Sequence, residues 1–123
     1  MIDLEKITPK QFLRETVDVN ILGVIQKQEI KNLTGEPRLR YWALSFSERN
    51  DEATKERVMI ALVSGAGLTP ENAVRLIELD WDAATSLAGK VHLLTKKMDD
   101  AIEAEKIAAE KNLNPEASTD TAI

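Results

Sequence analysis

The chain has 123 residues, 43% hydrophobic and 30% charged, with a formal net charge of −5, a pI near 4.9 and no cysteine. That length suits one domain with a buried core, and the composition belongs to globular rather than disordered chains. An acidic surface repels phosphate backbones and anionic lipid, so neither nucleic acid nor membrane is an expected partner, and without cysteine there is no disulfide and no thiolate chemistry.

"MIDLEKITPKQ" carries acidic residues where a signal peptide needs a basic segment, and no apolar run approaches spanning length, so a cytoplasmic location is expected. Thr8, Pro9 and Gln11 form a cap, a first helical position and a capping-box partner, which predicts a short helix from about Pro9 to Glu15. In "TVDVNILGVIQKQEIKNL", Val17, Val19 and Ile21 alternate with polar residues until Gly23 intervenes. The alternation reads as a small hairpin turning near Gly23, although the sequence leaves strand and helix both open for residues 17–31.

The turn residues Thr34 to Pro37 open a further helix, whose Leu39, Trp42, Ala43 and Phe46 share one face at helical spacing. "SERNDEATKE" reads as a polar break with several cap residues, followed by a buried helix in "RVMIALV" that ends at "SGAG". Thr69 and Pro70 then repeat the N-terminal device, predicting a helix to about Leu79. Asp80 can cap the last helix, in which Trp81, Ala84, Leu87, Ala88, Val91, Leu94, Met98, Ala101 and Ile102 form one stripe. Beyond Ile102 the apolar face thins while Ala, Glu and Lys sustain helix propensity, so this helix outruns its core. Asn112, Asn114 and Pro115 stop it. The expected fold is mainly α: a compact bundle of about five helices with a short N-terminal β-hairpin and a long C-terminal helix. Residues 1–111 form the helical domain and residues 112–123 a flexible tail.

Reactive groups are sparse. His92 is the single histidine, and with no cysteine beside it the residues assemble no zinc set. Asp80 and Asp82 flank Trp81 and Asp99 adjoins Asp100, but capping and solvation account for both pairs. The serines lack a nucleophile elbow, and "SGAGL" lacks the lysine and hydroxyl of a phosphate loop. Arg38, Arg40, Tyr41 and Trp42 mix charge with aromatic rings as single-strand binders do, although a helix with arginines outside and Trp42 inside explains the same letters. Neither an enzyme nor a cofactor is expected.

Taken together, "TPKQFLRETVDVNILG", "LTGEPRLRYWALSF", "RVMIALVSGAG", "LTPENAVRLIELDWDAATSLAGKVHLL" and the trailing charged helix resemble the tail assembly chaperones of long-tailed bacteriophages, over roughly Ile7 to Lys111. The resemblance implies a small, acidic, largely helical protein of the infected bacterium's cytoplasm, absent from the finished virion. It implies binding to the tape-measure protein and recruitment of tail-tube subunits. It also implies a ribosomal frameshift that commonly yields a longer second product, for which residues after "AEKN" would be the alternative ending. A helical client suits an apolar groove, and Trp42, Phe46, Trp81, Met98 and Ile102 are the candidate partner-binding residues. The same surfaces would support a homo-oligomer. Locally, "LTPENAVRLIELDWDAATSLAG" is similar to a ubiquitin-associated three-helix module, but the last stripe is too long for one. A helix-turn-helix regulator is a further alternative, which the acidic "PENAVRLIELD" disfavours.

Overall fold

In a computed structural model, the described residues are 2, 3, 5, 13–47 and 50–113, with the side chains of Phe46, Ser47 and Leu113 outside the description. They form two strands, β1 (Arg14–Ile21) and β2 (Val24–Lys31), and then four helices: α1 (Gly35–Ser47), α2 (Asp51–Ile60), α3 (Pro70–Leu79) and α4 (Trp81–Leu113). A π-helical segment, Ala61–Gly65, prolongs α2.

The strands pair antiparallel, with Val17 opposite Gln28, Val19 opposite Gln26 and Ile21 opposite Val24. Residues facing one another across the ladder share a side, so Val17, Val19 and Ile30 point to the core, while Asp18, Lys27 and Glu29 point outward. Leu22 and Gly23, with φ of 51° and 89°, make the two-residue turn. Positive φ at both central positions is the hairpin conformation that asparagine and glycine favour and leucine resists. Leu22→Asn is therefore expected to stabilise the fold by about 1 kcal/mol, read from the urea unfolding midpoint.

The helix expected from Pro9 to Glu15 is corrected at its end: Arg14 and Glu15 belong to β1, because the alternation that fills the core from Val17 onward extends backward through them. Residues 9–12 lie outside the described residues. Among the described residues the helices therefore number four rather than five.

Two further expectations shift. In α1, Leu39 is 64% exposed and Ala43 is exposed, whereas Tyr41 is buried. The inward face is thus rotated from the expected one, because α1 packs on α2 and its tyrosine reaches α4. The polar stretch before "RVMIALV" is not a break beyond Asn50: α2 starts at Asp51, with Asn50 Oδ1 accepting from the Ala53 amide at 2.8 Å. A good cap lets a charged first turn stay helical with one face in solvent.

Thr69 and Asp80 cap as expected. Thr69 Oγ1 accepts from the Asn72 amide at 3.1 Å with Pro70 following, and Asp80 Oδ1 accepts from the Ala83 amide at 3.1 Å. The α4 stripe is buried from Ala84 through Met98, while Trp81 and Ala101 at its two ends are exposed. The helix continues through Leu113, so Asn112 and Leu113 are helical, and the tail from Asn114 lies outside the described residues.

Two buried polar side chains fasten the open end of the hairpin, Asn32 joining its two flanks and Thr95 tying it to α4. Asn32 Oδ1 accepts from the Leu13 amide at 2.9 Å, and Asn32 Nδ2 donates to the Leu33 carbonyl at 3.3 Å. Thr95 Oγ1 accepts from the Leu33 amide at 2.9 Å and donates to the Val91 carbonyl at 2.8 Å. Buried polar groups persist only when so satisfied. Among the described residues, none of the buried side-chain nitrogens and oxygens lacks a partner.

Candidate functional site

Two surface features are built by this architecture. The first is a groove of about 310 Å³ between the hairpin and α3, lined on the apolar side by Val19, Ile21, Leu68, Leu76, Leu79 and Leu87. Three contacts hold the hairpin in place. The Leu22 amide donates to Asp80 Oδ2 at 3.1 Å, Lys90 Nζ donates to the Asp18 carbonyl at 3.0 Å, and Gln28 Nε2 donates to the Ala66 carbonyl at 2.7 Å. The groove stays open because the core-facing side of β2 carries Gln26 where β1 carries Val19, and Val24 remains exposed at the hairpin tip. On the opposite wall, Leu79 is 54% exposed. The hydrogen bonds that Asp80 accepts from the Leu22 and Ala83 amides hold its carboxyl below the usual range, which keeps it ionised further into the acid range.

The second feature is an aromatic and charged cleft between α1 and α4. The Tyr41 hydroxyl and His92 Nδ1 share a hydrogen bond at 2.8 Å, and Trp42 stands edge-on to His92 with ring centres 5.1 Å apart. Asp99 accepts from Arg38 Nε at 2.8 Å and from Trp42 Nε1 at 2.9 Å, while Arg40 pairs with Glu56. Of the residues that resembled a base-stacking set, Arg38, Arg40 and Trp42 are thus engaged by acidic side chains of the same chain, and Tyr41 by His92. Burial, then the nearby Lys96 and Arg57 charges, hold the His92 pKa below 6.5, and burial raises that of Tyr41 against the opposing effect of Arg57.

A histidine held neutral in the fold takes up its proton more readily when unfolded, so stability is fully present above the unfolded value and declines as pH falls through the lower folded value. The unfolding midpoint of the native chain is expected to drop between about pH 7 and pH 5, and the drop to shrink in His92→Gln. Equal slopes in the two proteins would contradict this account.

The five residues expected to bind a partner do not form one surface. Trp42 is half-buried against His92 and Asp99, and Ile102 is half-buried one turn beyond Met98. Met98 is 7% exposed and belongs to the core; Trp81, 38% exposed, opens α4 at the other end, about 25 Å along the helix from Met98. Phe46 lies in α1 with its side chain outside the description. The groove residues Leu76, Leu79 and Arg75 were not singled out from the sequence. Their signal was present, since "AVRLIEL" spreads Val74, Leu76, Ile77 and Leu79 around more of α3 than one packed face can cover.

Among the described residues, no group of three or more histidine, cysteine or carboxylate side chains could hold a metal ion, and no helix is long and apolar enough to cross a membrane. No family model matches the chain, and neither a curated protein nor a solved structure is found to match it.

Proposed function

We propose that the chain is a non-enzymatic assembly chaperone of phage tail morphogenesis, acting in the host cytoplasm on the tape-measure protein and aiding recruitment of tail-tube subunits. The observation that carries the reading is the open apolar groove with Leu79 on its rim, in a mainly helical domain whose last helix runs on past its core. Exposed apolar surface of this kind, bordered by polar residues, suits a helical client better than a small substrate. The tape measure as client rests on the sequence resemblance. The 33-residue α4 and the hairpin that precedes the bundle fit this reading better than a three-helix ubiquitin-associated module.

The test is co-expression with fragments of a candidate tape-measure protein. The soluble fraction of a fragment should rise several-fold with the native chain and return toward its starting level with Leu79→Asp. A fragment whose solubility is indifferent to the chain counts against the reading.

A further inference from the structure

The cleft between α1, α2 and α4 holds two cations that the fold leaves without an acidic partner. It encloses about 640 Å³ and is lined from all three helices. Arg38, on α1, is taken up by Asp99 at 2.8 Å, and the other oxygen of that carboxylate accepts from Trp42 Nε1. Arg57, on α2, and Lys96, on α4, line the same cleft and form no ion pair among the described residues. Arg57 donates only to the Thr54 hydroxyl of its own helix, at 3.2 Å, which leaves most of its guanidinium donors unused.

Both cations act on one ring. After burial, the charges of Lys96 and then Arg57 oppose protonation of His92. The acidic residues of the cleft do not neutralise them: Asp99 is engaged by Arg38 and Trp42, and Asp100, exposed one turn beyond Lys96, forms no ion pair either. Three cations, Arg38, Arg57 and Lys96, against those two carboxylates leave the cleft one positive charge in a chain of net charge −5. Such a site seats a small anion and rejects a polyanion, whose further charges would meet the acidic surface.

We infer that this cleft binds a small tetrahedral oxyanion, the phosphate group of a free ion or of a monoester, held between Arg57 and Lys96 with Trp42 and His92 beside it. A guanidinium and an ammonium together offer the fork and the rotatable donors that such a group accepts. Binding is linked to the histidine. The groups that face its ring are Arg38 and Tyr41 from α1, Arg57 from α2, and Lys96, Asp99 and Asp100 from α4. Tyr41 stays neutral and Arg38 cancels Asp99, so Arg57, Lys96 and Asp100 set the response. An anion between the two unpaired cations offsets the charges that disfavour the imidazolium, so His92 protonates at higher pH in the complex than in the free protein. By reciprocity the complex tightens as pH falls.

Sulfate is the probe, because it remains a dianion wherever His92 titrates. Calorimetric titration of the native chain should show sulfate binding tighter by about threefold or more at about pH 5.5 than at about pH 8. The proton resonances of the single histidine should titrate at higher pH in sulfate than in chloride. Lys96→Gln and Arg57→Gln should each weaken binding by about fivefold or more, while Asp100→Asn strengthens it. Lys97→Gln removes the same charge from the next position of α4, outside the cleft, and should leave binding unchanged. His92→Gln should bind sulfate at about pH 8 and lose the dependence on pH. Inorganic phosphate and phenyl phosphate then distinguish the sources: tighter binding of the ester assigns a monoester with an apolar group against Trp42, and an ester that binds no better assigns the free ion. Absence of sulfate binding at millimolar concentration, equal effects of Lys96→Gln and Lys97→Gln, or a His92 titration indifferent to sulfate would each overturn the assignment.

Discussion

Gly65→Ala is expected to destabilise the fold by about 1–3 kcal/mol, although it adds only one methyl group. A Cβ built at Gly65 would overlap Val91 Cγ1 and stand 2.9 Å from Cγ2, and Val91 is wholly buried. The π-helical segment ends here: the Ala66 amide donates to the Ala61 carbonyl at 3.0 Å, and Gly67, with φ of 73°, turns the chain toward α3. The new methyl group therefore meets a branched side chain that cannot swing aside in a close-packed interior, and α4 or the π segment must move. Urea unfolding measures the loss. In the double variant Gly65→Ala with Val91→Ala, the overlap is removed, so the two losses should sum to more than the double variant shows. Additive losses would mean that the two residues do not press on one another.

Thr95→Val is expected to cost about 1–3 kcal/mol while changing neither shape nor volume appreciably. The hydroxyl is the acceptor for the Leu33 amide at 2.9 Å, and both residues are buried, so valine leaves that amide without water or protein to bond. The Val91 carbonyl loses less, because it keeps its place in the helical ladder. Thr95→Ser retains the acceptor and should recover most of the difference, apart from a small packing loss. A valine variant as stable as the native chain would show that the link between β2 and α4 contributes little. The same link explains the position of the hairpin. Asn32 and Leu33 turn the chain from β2 into α1, and Thr95 fastens that turn to the middle of α4.

Between them, these residues and Asp80 arrange the groove. Asp80 caps α4 with one carboxylate oxygen and holds the hairpin turn with the other, so a single side chain sets the angle between α4 and the tip of the ribbon. Thr95 and Asn32 secure the far end. The hairpin is clamped at both ends, and its β2 side remains uncovered opposite α3.

Local signals determined much of this protein before any tertiary contact was considered. Thr69 and Pro70, Asp80, and Gly23 act within a few residues of themselves, through caps and backbone conformations, and each appears where the letters place it. The periodic stripe of α4 is local in the same sense, since a repeating apolar face needs only the helical period to be recognised. The faces of α1 and α3 were decided otherwise. Whether Leu39 or Tyr41 turns inward, whether Leu79 is covered, and whether His92 meets a tyrosine depend on where distant elements pack. Periodicity reports that a face is apolar, but burial is a property of the pair of surfaces. The groove and the Gly65–Val91 contact are therefore products of packing, because no single segment contains both of the partners that define them.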